Sequence, residues 1–171
     1  MFSKNRGTSL MDIADESIIQ AGRDIIWIIN NLGVDNTALR EIDMSRVYPA
    51  WSEYFKLYCG LTIIAYTDKF PDKRRSFVEA FTEMIRSRLK LTNANDVSPV
   101  LLNDMDEKSW ITDVIIYSNK SLIEIAKVAT EKIGHHIPFA LTSNHKTRLH
   151  DNLSNRIALA DNKLRKLNFI A

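Results

Sequence analysis

One cysteine, five glycines and four prolines are all that this 171-residue sequence holds of the residue types that staple, bend or break a chain. A lone thiol, Cys59, forms no internal disulfide, and no Cys/His pair has zinc-site spacing, so neither a disulfide scaffold nor a zinc module is expected. The scarcity of glycine and proline excludes collagen-like and low-complexity classes. An overall excess of one charge sign is missing as well, since 23 Lys and Arg stand against 21 Asp and Glu. Long apolar runs are also absent. Residues 57–67 are free of charge, but that stretch is well short of the roughly 20 residues a membrane-spanning helix needs. Lys4, Arg6, Asp12, Asp15 and Glu16 interrupt every apolar stretch before Ile18. No secretory leader and no membrane span are therefore expected, and a cytoplasmic setting follows, where a lone thiol stays reduced.

What is present is ordinary hydrophobicity, at 45% of residues, in a chain of single-domain length that buries about 70% of its unfolded surface. Apolar residues recur at helical spacing almost throughout. Met11, Ala14, Ile18, Ala21, Ile25, Ile28 and Leu32 step by three and four and predict one long amphipathic helix, with Ser9 and Asp12 as its capping pair and Gly33 as a left-handed stop. A short helix is expected from Asp35 or Asn36 to about Met44. Pro49 then stands where a first helical turn tolerates proline. From Trp51 to Tyr66 the chain is apolar on nearly every side, with Glu53 and Lys56 its only charges before Thr67. A helix apolar all round packs at the centre, which assigns its aromatics and Cys59 to the core.

Pro71 opens the next helix, with Val78, Phe81, Ile85 and Leu89 inward and Lys73, Arg74, Arg75, Arg86, Arg88 and Lys90 on the other face. The stretch 92–99 (TNANDVSP) reads as a turn-rich internal loop. A short apolar turn at Val100–Leu102 and an acidic cluster (Asp104, Asp106, Glu107) follow. Helical pattern then runs to Ile133, broken at residues 118–121, where Ser121 and Glu124 form a capping box. Residues 110–117 (WITDVIIY) carry enough β-branched side chains for a strand, but no partner strand is evident and helix is the reading. Gly134 is the expected end of that element, and His135–Thr142 the loop after it. The last helix, Ser143 to Leu167, shows a narrow seam of Leu149, Leu153, Ile157, Ala160, Leu164 and Leu167. The fold expected is a single all-α domain over 1–171, a bundle of five to seven helices around the central apolar one.

Charge is uneven by block: net −3 over residues 1–68, +4 over 69–90, −3 over 91–142 and +4 over 143–171. Salt bridging between blocks is the plain explanation. The four histidines, His135, His136, His145 and His150, fall within 16 residues, but His145 and His150 are i, i+5 and point apart on a helix, and adjacent His135 and His136 cannot both face one ion. The acidic cluster lacks the glycine and distal glutamate of a calcium loop. No phosphate-cradling glycine loop, G-x-S-x-G elbow or H-E-x-x-H motif occurs.

The stretch Leu32-Gly33-Val34-Asp35-Asn36-Thr37-Ala38-Leu39-Arg40-Glu41-Ile42, followed by Tyr54-Phe55, resembles the DNA-binding end of tetracycline-repressor-type regulators. There a first helix ends in glycine, a threonine caps the next, and a Tyr-Phe pair closes the recognition helix. The resemblance implies a helix-turn-helix near the N-terminus; the expectation set against it is that Arg40→Ala and Arg46→Ala leave any nucleic-acid affinity unchanged. The sequence departs from that pattern in three ways. The span to Phe55 is shorter, the turn glycine is missing, and Pro49 falls inside the expected recognition helix. The block is also net negative, whereas DNA-binding faces are basic.

By elimination, the function expected is that of a non-enzymatic cytosolic interaction or regulatory protein that needs no cofactor. The residues expected to meet a protein partner, or a second copy in a homodimer, are Arg74, Arg75, Arg86, Leu149, Leu153, Ile157 and Leu164. A DNA-binding regulator is the alternative, and a metal-dependent enzyme using the C-terminal histidines is the third reading.

Overall fold

Helical spacing becomes helix along the chain. The computed structural model describes residues 7–40, 43–91 and 97–170. Helix α1 spans Leu10–Asn30 and opens on the expected capping box, in which the Asp12 backbone N–H donates to Ser9 Oγ at 3.1 Å and Asp12 reaches back to the Ser9 N–H. Its stop is followed by Gly33 at φ +80°, a left-handed conformation that glycine adopts without steric cost. The short element after it is α2, Asn36–Arg40, and a separate 3₁₀ turn over Met44–Val47 leads into α3, Tyr48–Lys69, with Pro49 in its first turn.

Helix α3 is the axis of the fold, packed against α1 and the helices that follow it. Tyr54, Phe55, Leu57, Tyr58, Cys59 and Leu61 are fully buried. Burial pushes the Cys59 thiol well above its ordinary pKa. After a 3₁₀ turn at Pro71–Lys73, α4 runs over Arg74–Leu91 and buries Phe77, Phe81, Ile85 and Leu89, with Val78 half-buried beside them.

Besides the short helix expected to reach about Met44, which is Asn36–Arg40 among the described residues, and the last helix, which ends at Arg165 and leaves Leu167 outside it, two boundaries differ from the sequence expectation. Residues 92–96 of the expected loop lie outside the described residues, and 97–99 are not loop but the first turn of α5, Val97–Asp106. Pro99 fits there because a first-turn N–H has no helical acceptor to lose. The apolar turn expected at Val100–Leu102 therefore lies within α5, whose Leu101 and Met105 face inward one turn apart. The second difference is at Gly134. After α6 (Lys108–Ser118), α7 spans Leu122–His136 and continues past that glycine. It stops at Ile137, which is extended at φ −69°, ψ 128°, because the residue before a proline, here Pro138, is driven out of the helical region.

The break between α6 and α7 and the Ser121/Glu124 capping box are as expected, and residues 110–117 are helical, with Trp110, Val114 and Tyr117 buried. Helix α8, Ser143–Arg165, is capped by Thr142. Its seam of Leu149, Leu153, Ile157, Ala160 and Leu164 is at most 4% exposed and packs on α7, α3 and α1 of the same chain. Among the described residues, seven helices have ten residues or more and α2 is the short exception. The bundle is all-α: the only strand-like pairing among the described residues is an isolated bridge between Thr8 and Phe169. There the Thr8 N–H donates to the Asn168 carbonyl at 2.8 Å, and the Phe169 ring packs edge-on against Tyr66 and Phe77, which stack with centroids 3.8 Å apart. No helix among the described residues is long and apolar enough to cross a membrane.

Candidate functional site

The uneven charge blocks are cross-linked by ion pairs. Arg88 of α4 clamps Asp15 of α1 with two hydrogen bonds, at 2.6 and 2.8 Å. Arg86 pairs with Asp106 at the end of α5. From α8, Lys163 pairs with Glu16 and Arg165 with Asp68 and Asp161. Much of the basic face is therefore spent inside the molecule.

The basic residues expected to meet a partner separate accordingly. Arg74 donates to Ser118 Oγ at 2.7 Å and to Asn119 Oδ1 at 2.8 Å, tying the start of α4 to the end of α6. Arg75 beside it has a 94% exposed side chain whose ion pair is with Glu79 one turn on, at 3.2 Å. Arg86 lies about 16 Å further along α4, at 1.5 Å per residue, and does not join them. The apolar half of the expected surface is corrected by burial. Leu149, Leu153, Ile157 and Leu164 are 0–1% exposed within this one chain, because α7, α3 and α1 cover the seam, and they present no outer face.

What Arg74 and Arg75 do border is a groove of about 580 Å³ between the start of α4 and α6, lined also by Pro71, Asp72, Val78, Glu79, Ile111 and Ile115. Its floor is apolar, since Val78 and Ile111 are half-buried and Ile115 is 38% exposed. Ile116 and Ile123, at the end of α6 and the start of α7, are exposed too. The sequence signal for this floor is Ile111 and Ile115 one turn apart on α6, which reading residues 110–117 as helix rather than strand does not by itself separate from the buried Trp110 and Val114.

A second concavity, of about 620 Å³, lies between α7, the 137–142 loop and α8. It gathers two of the four histidines, His135 and His150, with Lys127, Thr130, Glu131, Gly134, Phe139, Leu141 and Lys146. His145 is occupied elsewhere: its ring accepts from the Thr142 N–H at 3.2 Å in the α8 cap. Among the described residues no three His, Cys, Asp or Glu side chains are placed to hold a metal ion, so the histidine cluster gives the metal-dependent reading no ligand set.

Some interior polar groups are paired, whereas the Trp51 and Trp110 indole N–H groups and the Tyr58 hydroxyl are buried without a hydrogen-bond partner among the described residues. Glu53 accepts from the Tyr117 hydroxyl at 2.8 Å and from Lys56 at 3.3 Å, while Lys56 also bonds Asp113 at 3.1 Å and Lys132 approaches both carboxylates. Burial works against the Lys56 charge, but Glu53 and Asp113 outweigh it and hold its pKa above the usual value. Two cations and two anions thus balance across α3, α6 and α7. On the other side of α3, Asp24 accepts from the Tyr54 hydroxyl and from Gln20, both at 2.8 Å.

At the N-terminal end the segment that resembles a helix-turn-helix does not build a separate recognition helix. Residues 44–47 form a 3₁₀ turn, and Tyr54 and Phe55 lie inside one unbroken 22-residue α3, fully buried. Glu41 and Ile42 lie outside the described residues. Arg46 is engaged with the Pro138 carbonyl at 2.9 Å. Comparison with family models, curated proteins and solved structures returned no match.

Proposed function

We propose that this chain is a non-enzymatic interaction protein of the cytoplasm that seats an acidic amphipathic segment of a partner protein in the α4–α6 groove. The observation that carries the reading is the combination of an apolar floor, Val78, Ile111 and Ile115, with the Arg74 and Arg75 guanidiniums on its edge. An apolar centre with a polar rim is the ordinary anatomy of a protein interface, where arginine is enriched. Arg75 is held only by an exposed i, i+4 pair to Glu79. Such pairs contribute about 0.3–0.5 kcal/mol, so exchanging Glu79 for a partner carboxylate costs little. The interior supports a binding rather than a catalytic reading, because Cys59 is buried as a high-pKa thiol and Glu53 is locked in a charge-balanced network.

The test is a photo-crosslinking residue placed at Ile115, irradiated in native extract with and without nuclease. A discrete protein adduct that survives nuclease, disappears with Arg75→Glu and is absent when the same residue replaces exposed Asn162 on α8 is the expected result. An adduct that nuclease removes would favour the DNA-binding alternative. No adduct, or one indifferent to Arg75, would overturn the groove.

A further inference from the structure

Four of the five glycines have a visible reason to be glycine. A Cβ on Gly22 would stand 2.2 Å from Trp51, one on Gly60 2.7 Å from Tyr117 Cβ, one on Gly7 2.3 Å from Ile170, and Gly33 has its positive φ. Gly134 has none of these. It lies inside α7 with no positive φ, and a Cβ there would meet only Leu149 Cδ2, at an ordinary 3.6 Å. Glycine within a helix is a destabilising choice relative to alanine. Neither packing nor backbone conformation calls for it at this position. What the missing side chain does is leave open the wall of the cleft between α7 and α8.

That cleft has the makings of a ligand site independent of the α4–α6 groove. Its volume of about 620 Å³ is within the roughly 300–1,000 Å³ usual for small-molecule sites. Half-buried Phe139 and Leu141 supply an apolar surface beside Gly134. Lys127 enters from α7 and Lys146 from α8, and among the described residues neither has a carboxylate within 4 Å. These two ammonium groups, one from each helix, border the cleft as available cations. Glu131 is the one carboxylate in the lining, and the two lysines outnumber it. His135 and His150 add ring nitrogens able to hydrogen-bond an oxygen ligand.

We infer that the α7–α8 cleft, opened by the absent side chain of Gly134, binds a small amphipathic anion: a carboxylate or phosphate head held between Lys127 and Lys146, with its apolar body against Phe139 and Leu141. The charged head selects for an anion, because each ammonium makes a charge-assisted hydrogen bond to oxygen. The apolar wall selects against a bare inorganic anion, because such an ion leaves Phe139 and Leu141 in water.

The experiment is a titration of the full chain with octanoate, followed through the imidazole NMR signals of His135 and His150, beside parallel titrations with octanol and inorganic phosphate. Octanoate is expected to shift both histidines saturably, with octanol and phosphate each weaker. Lys127→Gln with Lys146→Gln, both exposed positions, is expected to weaken octanoate by about tenfold or more, the equivalent of one lost charged contact. Lys166→Gln, at the far end of α8, is expected to leave binding unchanged. Gly134→Leu is expected to abolish binding by filling the wall, and Gly134→Ala, for which there is room, keeps the readout available if the leucine variant does not fold. Octanol binding as tightly as octanoate, phosphate binding as tightly as octanoate, or indifference to the paired lysine change would each overturn the inference. So would histidine signals unmoved by octanoate up to its solubility limit, or shifted only by anionic phospholipid vesicles.

Discussion

The indole of Trp51 occupies the place where a side chain on Gly22 would begin, with Cζ2 at 2.2 Å from that Cβ position. Helix α1 thus meets α3 with bare backbone against an aromatic ring. Gly22→Ala should destabilise the fold by about 1–3 kcal/mol through overpacking, although alanine gains up to about 1 kcal/mol in helix propensity. Gly134→Ala should go the other way, because its new methyl meets only Leu149. Urea unfolding of both variants at unchanged m-value measures this, and the reverse order would refute the packing described.

Leu61 stands at the middle of α3 and is fully buried. Leu61→Ala should cost about 2–5 kcal/mol, the transfer loss plus the cavity left behind. A loss under about 0.5 kcal/mol, the scale of a surface substitution, would mean that α3 is not the centre of the molecule.

The α8 seam offers a sharper contrast. With Leu153 and Ile157 both fully buried in cis, the paired change Leu153→Asp and Ile157→Asp places two carboxylates in the core, where an unpaired charge is costly. The expected outcome is an unfolded or aggregating chain by circular dichroism and light scattering. A well-folded variant with half the parent's mass would show instead that the seam is an interface between copies.

Asp24 makes stability depend on pH in a stated direction. It is 3% exposed, and desolvation lifts its carboxyl above the usual 3.8 despite the opposing hydrogen bonds from Tyr54 and Gln20 and the charge of Arg156. The folded chain therefore holds this proton more tightly than the unfolded chain. The stability this supplies is full below pH 3.8 and is lost as pH rises through the raised value. Relative to the parent, Asp24→Asn should gain stability between about pH 4 and pH 7, read from urea unfolding at each pH. A difference that stays flat would mean the carboxylate is not desolvated.

Local signals were legible in the sequence and tertiary ones were not. The Ser9/Asp12 and Ser121/Glu124 capping boxes are read correctly because both partners are three residues apart and nothing distant decides them. Gly134 misleads as a stop because the true stop is Pro138, acting on Ile137, while the glycine answers to the cleft wall. Ser98 and Pro99 look like a turn and serve instead as the first turn of α5, a use that the same two residues permit equally well. Of the candidate sites, Arg74 and Arg75 could be named from the basic face of α4, but the floor beneath them comes from α6, and no spacing reports which helix lies alongside. The α7–α8 cleft left a trace, since Lys127, Glu131 and His135, and again Lys146 and His150, step by four. Only the antiparallel docking of the two helices brings those rows together. The same docking hides Leu149, Leu153 and Ile157, so a seam that periodicity reads as adhesive is already satisfied at home.

The pairing of Thr8 with Asn168 brings residues 7 and 170 close enough for one short peptide to join them. A linker from residue 170 to residue 7 would bridge neighbours already joined by a 2.8 Å hydrogen bond, and no helix would have to move to admit it. New ends could then be cut between Asn119 and Ser121, in the exposed turn that separates α6 from α7. In that permuted molecule α7 and α8 would be made first and α6 last. The route through space would be unchanged, so the order in which the helices are threaded is a matter of where the ring is opened and not of how the bundle is held.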